Sequence, residues 1–403
     1  MPNLKLLKCL AVTLVLVIFS CPAYADSIWT AGNQLLRNGV PFKMHAVEIT
    51  AYEAPTDWYG PSEGNSSTLM AAYDHFNATE LQYALAYGAN TIDFQVSQMG
   101  LDPLNTAPST TQRVAYSPTY VAQLQSAVEL ARSMGFIVMV SVADTPFSGD
   151  KNELGLPTAG TLRANLTLAN LFKDDLGIIL ELMIEPYPVV DTTVLATKAQ
   201  SNADYIYING GTDNRGNVYV GANSIIQQIR ATGARNLIIS QIPSQYFASY
   251  QDTDGSYPWG QITDTIDAKL AFGVHSYFQF KYVGTTPAQW DLSFGNFAAG
   301  HPLIVSEWDQ TTTLNANTAK PLWCGPLPDG LGAPLNTPLQ FLHYINTHAV
   351  NGVNGWAFDM PQSLISEYGA GTPTTMAGAV CGQPGGGIGL WIEDEFEGDL
   401  PGM

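Results

Sequence analysis

Three observations predict an α/β fold closed as a (β/α)₈ TIM barrel. Eight short apolar, β-rich runs are spaced along the chain, beginning near Phe42, Asn90, Phe136, Ile178, Asn236, Leu270, Pro302 and Val353. Most are continuous hydrophobic runs, such as Phe136 to Val142, as parallel strands buried on both faces require. Helical patterns fall between them, the alternation expected of parallel strands joined by helical crossovers. Eight such units favour a closed barrel over an open doubly wound sheet. No Gly-x-Gly-x-x-Gly turn follows the first strand, which argues against dinucleotide binding.

The first 25 residues read as a signal peptide. Lys5 and Lys8 precede an apolar run from Leu10 to Phe19, and Ala23-Tyr24-Ala25 supplies an A-x-A cleavage pattern. A lipid on Cys21 is the lesser alternative, since Phe19 is an unusual residue at that place in a lipobox. No later stretch approaches the roughly 20 apolar residues of a membrane span. Residues 26–403 are expected to form one domain, secreted to an extracellular or periplasmic location.

Helix signals lead into the strands. Asn77-Ala78-Thr79-Glu80 has the pattern of a capping box, opening a helix with Leu81, Ala84 and Leu85 inward and Gly88 as its stop. Ser117-Pro118 opens a second, with Val121, Leu124, Val128 and Ala131 at helical spacing. A third runs from Ser224 through Ile225, Ile226 and Ile229 to Gly233. The tail is glycine-rich from Gly382 through Gly389 and acidic from Glu393 to Asp399. A solvated end is the commoner behaviour of such a segment, packing back on the barrel the alternative.

The formal charge of −19 becomes −21 without the two leader lysines, and no basic patch offsets it. Nucleic acid and anionic membranes are poor partners for such a surface. Cys324 and Cys381 remain outside the leader, and in an oxidising compartment a disulfide is a better account of them than a metal site. Asn65, Asn77 and Asn165 begin N-x-S/T triplets.

In a barrel, side chains at the C-terminal ends of strands face the active site. The fourth run, Gly177 to Ile184, ends at Glu185-Pro186, and the seventh, Pro302 to Ser306, ends at Glu307-Trp308. Two carboxyls about 5 to 5.5 Å apart can perform retaining glycoside hydrolysis, one attacking the anomeric carbon while the other protonates the leaving oxygen and later activates water. Sugar rings stack on aromatic faces, and Trp308 and Trp356 are the best-placed platforms. Trp58, Tyr59, Tyr187, Tyr257, Trp259 and Trp323 are further aromatics near strand ends.

The segments Asn33 to Phe42, Leu171 to Asp175 with Glu181 and Glu185-Pro186, Gly273-Val274-His275-Ser276-Tyr277 and Pro302 to Glu307 occur in order. In these, from about Asn33 to the eighth strand, the chain resembles the (β/α)₈ glycosidase clan that includes the family 5 cellulases and mannanases. The resemblance implies a glycosidase in which Glu185 is the acid/base, Glu307 the nucleophile, and His275 and Tyr277 hold these groups and the sugar. It also implies a polysaccharide or oligosaccharide substrate; no cofactor and no metal are expected, and the chain is expected to be a monomer.

The chain departs from that family at four places. Asp93 stands for an arginine after the second strand, Ala143 for a histidine after the third, Ile184 for the asparagine before the acid/base, and Glu48 for an asparagine ending the first strand. An aspartate near Glu307 would raise one carboxyl's pKa by like-charge repulsion, making Asp93 a modulator of the site unless Arg37 or Lys43 pairs with it. Isoleucine cannot bind the sugar's 2-hydroxyl. The leading function is therefore hydrolysis of β-linked polysaccharide by double displacement, and the competing one is an inactive barrel that binds glycan or a partner protein. A third possibility, a calcium or other metal site built from Glu48, Asp93, Asp144 and Asp359, has oxygen ligands but no short-range ligand motif.

Overall fold

Eight parallel strands close on one another in chain order: β1 (Met44–Ile49), β2 (Thr91–Ser97), β3 (Ile137–Ala143), β4 (Ile178–Glu181), β5 (Leu237–Gln241), β6 (Leu270–His275), β7 (Leu303–Trp308) and β8 (Val350–Gly355), with β8 paired to β1. This is the (β/α)₈ barrel that the sequence predicts. The first seven strands open within two residues of the expected positions; β8 opens three residues early. The computed structural model describes residues 26–52, 77–106, 115–143, 154–187, 199–213, 215–242, 257–278, 283–309, 314–315, 320–321, 337–359, 363–365, 373 and 388–400. The expected signal peptide, Trp58, Tyr59, Asn65, Asp144, Trp323, Cys324, Cys381 and the glycine run 382–387 lie outside these residues.

Side chains alternate across each strand, and the two faces meet different surroundings. Ile92, Phe94 and Val96 of β2 and Val138, Val140 and Val142 of β3 belong to the outer core beneath the helices. The inward face starts apolar, with Met44, Ala46, Met139, Ile179, Ile239 and Ile304 packed as a separate cluster. Two residues further along their strands come Glu48, Ser141, Glu181, Gln241 and Ser306, all buried and polar. The barrel interior therefore changes from hydrocarbon to hydrogen-bonding groups halfway up.

An antiparallel ribbon, Ile28–Ala31, Gln34–Arg37 and Val40–Pro41, precedes β1. Its Ile28 and Leu35 are fully buried against the inward apolar cluster, so the ribbon closes the N-terminal end of the barrel. Lys269 Nζ donates to the Ile28 carbonyl at 2.6 Å and Thr30 N–H to the Ala268 carbonyl at 2.9 Å, tying the ribbon to the residues that lead into β6.

The helices are α1 (Ala78–Ala86), α2 (Pro118–Ser133), α3 (Ala159–Phe172), α4 (Ala199–Asn209), α5 (Ala222–Ala231), α6 (Thr337–Thr347) and α7 (Gly389–Glu397), with shorter helical turns at Gln98–Leu101 and over 287–298. Asn77 caps α1, its Oδ1 accepting from the backbone of Thr79 at 2.8 Å and of Glu80 at 3.3 Å. Leu81 and Ala84 are buried as expected, whereas Leu85 is 44 % exposed because it falls off the inward stripe. Asn165, which begins an N-x-T triplet, is not open to a glycan. It is fully buried on α3, with its amide bound to the carbonyls of Thr161 and Leu182.

The acidic tail is not a solvated end. It forms α7, which buries Ile392, Glu395 and Phe396. The Phe396 ring stacks on His45 at 4.8 Å and meets Tyr87 edge-on at 6.0 Å, while Glu395 pairs with Lys43. Gly88, at φ 86°, ends α1 and leaves room for this contact, since a Cβ there would lie 2.9 Å from Phe396 Cβ. Phe396→Ala should cost about 3 kcal/mol of stability, and Leu85→Ala on the exposed side of α1 less than about 0.5 kcal/mol. Denaturant midpoints of the two variants check the difference.

Candidate active site

The placement of Glu307 depends on an irregularity in β7. Val274 of β6 pairs with Val305, but His275 pairs with Glu307, so Ser306 is an extra residue. Strict alternation from Ile304 would turn Ser306 and Trp308 inward and Glu307 outward. The bulge instead brings both Ser306 and Glu307 inside and sends Trp308 out to the helices. There the Trp308 ring is fully buried, 4.7 Å from Phe341 and 5.7 Å from Phe278. Trp308 has no face to offer a sugar, which corrects its assignment as a platform.

Around Glu307 the structure gathers the other expected residues. The Tyr277 hydroxyl donates to Glu307 Oε1 at 2.6 Å. His275 Nδ1 lies 3.2 Å from Glu185 Oε1 and 3.4 Å from Glu307 Oε1, so the ring sits between the two carboxylates. Glu185 reaches in from the loop after β4, which ends at Glu181 rather than continuing to Glu185. The Glu185 side chain is 24 % exposed and that of Glu307 is 8 % exposed. One oxygen of each carboxylate and one ring nitrogen of His275 come within 4.8 Å of one another. Among the described residues, this is the group of ligand atoms that a cation would find together.

Sequence reasoning missed two residues here. Gln95, one inward position beyond Asp93 on β2, donates from Nε2 to Glu307 Oε2 at 2.5 Å. The period-two rule applied to Asp93 would have found it. Gln241, which ends β5, accepts the Glu185 backbone N–H on Oε1 at 2.8 Å and turns its amide nitrogen toward His275 and Glu181. Glu185 has φ 46°, a left-handed conformation that costs a residue with a Cβ about 1 to 2 kcal/mol. The Gln241 bond is one of the contacts holding it there.

Asp93 lies in the buried polar layer and not in an open cleft with Glu307. Its Oδ1 accepts from Ser141 Oγ at 2.7 Å and its Oδ2 from Asn354 Nδ2 at 2.8 Å. Asn354 Nδ2 also reaches Glu48 Oε2 at 3.1 Å. Neither cation considered for Asp93 serves it: Arg37 pairs with Asp26, and Lys43 with Glu395. Gly273 on β6 is the small member of the layer, where a Cβ would stand 2.5 Å from Ser306 Oγ and 2.7 Å from Glu181 Oε1. Of the cation ligands considered, Asp144 lies outside the described residues, and Asp359 is turned away from Glu48 and Asp93, to the backbone N–H of Ala51 at 2.8 Å and to Thr50 Oγ1 at 3.2 Å.

Burial sets the protonation of these acids. It raises Glu307 to about 7, His275 opposing the rise and the negative charges of Glu185 and Glu181 adding to it. Asp93 is pushed well above the usual carboxylate range, by burial first and then by Glu181 and, more weakly, Glu307. Burial also raises Glu181. The like charges of Glu181 and Glu307 thus act on Asp93 through the barrel interior, and the proton it retains leaves it little charge to exert on Glu307 in return.

The remaining departures are apolar. Ala143 is fully buried and Ile184 is 4 % exposed, with its backbone N–H bound to the Val142 carbonyl. Among the aromatics, Trp259 is buried against Tyr207 and Tyr257 packs on Phe297. Trp356 follows β8 at the barrel mouth and is partly exposed.

An eight-stranded barrel with paired glutamates at the C-terminal ends of its fourth and seventh strands has the architecture of a (β/α)₈ glycosidase. The family model for cellulase (glycosyl hydrolase family 5) matches residues 37–357. The chain belongs to glycosyl hydrolase family 5, and it is a glycosidase. Among solved structures, an endocellulase from Pyrococcus horikoshii, solved with cellotetraose, shares the fold at 15 % identity, covering 87 % of this chain and 96 % of that one with a TM-score of 0.55. A cellulase in complex with an inhibitor matches at 14 % identity over the same shares, with a TM-score of 0.54. Comparison with curated proteins finds no match.

Three outcomes are expected from this geometry. Gln95→Leu removes a donor to Glu307, so kcat should fall about 10- to 100-fold and the acid limb of the pH profile should move to higher pH. The same limb measured in the unaltered enzyme should lie near 7, the value to which Glu307 is raised. Carboxyls raised in the folded state also bind more protons than in the unfolded chain. Their contribution to stability is full in acid and is lost as pH rises through about 6 for Asp359 and about 7 for Glu307. A series of Tm values against pH should decline over that window.

Proposed function

We propose that this protein is a secreted enzyme that hydrolyses β-linked polysaccharide with retention of configuration, Glu307 acting as nucleophile and Glu185 as acid/base. The observation that carries the mechanism is the approach of the two carboxylates, with oxygens within 4.8 Å. Retaining enzymes hold their carboxyls about 5 to 5.5 Å apart, while inverting ones leave roughly 6.5 to 9.5 Å for a water. Exposure supports the division of roles. Glu185, the more open group, can exchange protons with solvent, and Glu307, held by Tyr277 and Gln95, is aimed and screened.

In the first step a Glu307 oxygen attacks the anomeric carbon while Glu185 gives its proton to the departing glycosidic oxygen. In the second, Glu185 takes a proton from water as that water displaces Glu307, restoring both groups. Trp356 is the sugar platform in this scheme. The family description makes cellulose and soluble β-1,4-glucans the first substrates to test, followed by mannan and xylan. The leader pattern of Lys5, Lys8 and the run to Ala25 supports export.

The test is a polysaccharide panel from acid to neutral pH, with the anomer of the first product read by NMR. Turnover with a β product is expected, and Glu307→Gln should lose at least about a thousandfold in kcat. Absence of turnover on glucan, mannan and xylan would favour instead a glycan-binding barrel, which the apolar Ala143 and Ile184 also suit. An α product would refute retention.

A further inference from the structure

Gln241 joins the two halves of this site through one planar amide. Its Oε1 accepts the backbone N–H of Glu185 at 2.8 Å. A backbone N–H only donates, so this bond determines which end of the amide is oxygen. The amide nitrogen is thereby turned to the opposite side, where it meets His275 Nε2, Glu181 Oε1 at 3.2 Å and Ser306 Oγ at 3.5 Å. That nitrogen carries hydrogens and no lone pair to offer, so His275 Nε2 has to accept.

We infer that Gln241 is a positioning residue that holds His275 as a neutral imidazole with its proton on Nδ1, directed between Glu185 and Glu307, while fixing the backbone of Glu185. The inference rests on the roles proposed above for those two glutamates.

The charged groups facing the ring act in the other direction. Glu307 from β7, Glu185 and Glu181 from β4 and its following loop, and Asp93 from β2 all draw protons toward it. Burial lowers the imidazole's pKa, yet the carboxylates Glu307, Glu185 and Glu181 raise it, to about 9. On charge alone the ring would be doubly protonated. A proton on Nε2, however, would point at the Gln241 N–H, and the amide cannot turn over without setting its nitrogen against the Glu185 N–H. Asp93 and Glu181, their pKa values raised by burial, pull less strongly when they hold their protons.

The protonation state matters for catalysis. A neutral ring donates through Nδ1 toward the Glu185 and Glu307 carboxyls and adds no positive charge, so the opposition that a charged His275 would offer to the rise of Glu307 is absent in this state and Glu307 is raised further. An imidazolium in the same place would set a full positive charge against the carboxyl that has to give up a proton to the leaving oxygen.

The full-length protein labelled with ¹⁵N-histidine provides the test, with the His275 signals assigned by their loss in His275→Ala. At neutral pH the unaltered protein should show Nδ1 protonated and Nε2 unprotonated. Gln241→Glu keeps an oxygen for the Glu185 N–H but removes the donor to His275. In that variant the ring should become doubly protonated, the pH optimum should move toward acid, and kcat should fall about 10- to 100-fold with KM within about twofold. Gln241→Leu loses both bonds and should lose more activity than Gln241→Glu.

A wild-type ring that is doubly protonated at neutral pH, or that carries its single proton on Nε2, overturns the inference. So does a Gln241→Glu variant whose ring and pH optimum are both unchanged. If that variant does not fold, the wild-type spectrum alone decides. The spectrum needs no substrate, so an inactive wild-type protein would overturn the proposed function without deciding the tautomer.

Discussion

A carboxyl group inside a closed barrel has to be hydrogen-bonded, protonated or both, because its charge has no route to water. The whole site stands on that constraint. Glu48, Asp93 and Glu181 are buried on three different strands, and Ser141, Gln241, Ser306 and Asn354 donate to them from four others. Gly273 on the remaining strand keeps the space open. Glu307 and His275 lie above this layer and take their electrostatic environment from it. The protein thus holds Glu307, the nucleophile of the proposed mechanism, with neutral donors, Tyr277 and Gln95, in place of the guanidinium that the family resemblance implies.

Most of the fold was legible because hydrophobic runs of strand length, separated by capped helices, admit few arrangements. Phe136 to Val142 is apolar at every position but Ser141, and a strand so composed has to be covered on both faces. Leu85 and the tail were less legible. Leu85 is a helix former one position away from the buried stripe, and composition alone does not separate the two. Residues 393–399 are acidic enough to look solvated, but Ile392 and Phe396 supply an apolar stripe on one face of a single short helix, and Lys43 and Asn346 receive Glu395.

The placement of the candidate site was legible in its residues and less so in its geometry. Glu185, His275, Tyr277 and Glu307 could be found by position because strand ends announce themselves. Trp308 was misjudged because a bulge leaves no reliable mark in one sequence, and a single inserted residue reverses the direction of everything after it. Gln95 and Gln241 were passed over for a different reason. A neutral amide has no titration and no motif, and its importance comes only from which two groups it happens to bridge.

The stacking of Phe396 on His45 joins positions some 350 residues apart in the chain. Contacts of that span carry a large loop-closure entropy and form after local ones have already shortened the effective loop. The corner where α1, β1 and α7 meet is therefore a clasp on a finished barrel and not a nucleus for one. A spectroscopic probe placed there would report the completion of folding, while one in β2 or β3, whose strands are neighbours in sequence and in space, would report its beginning.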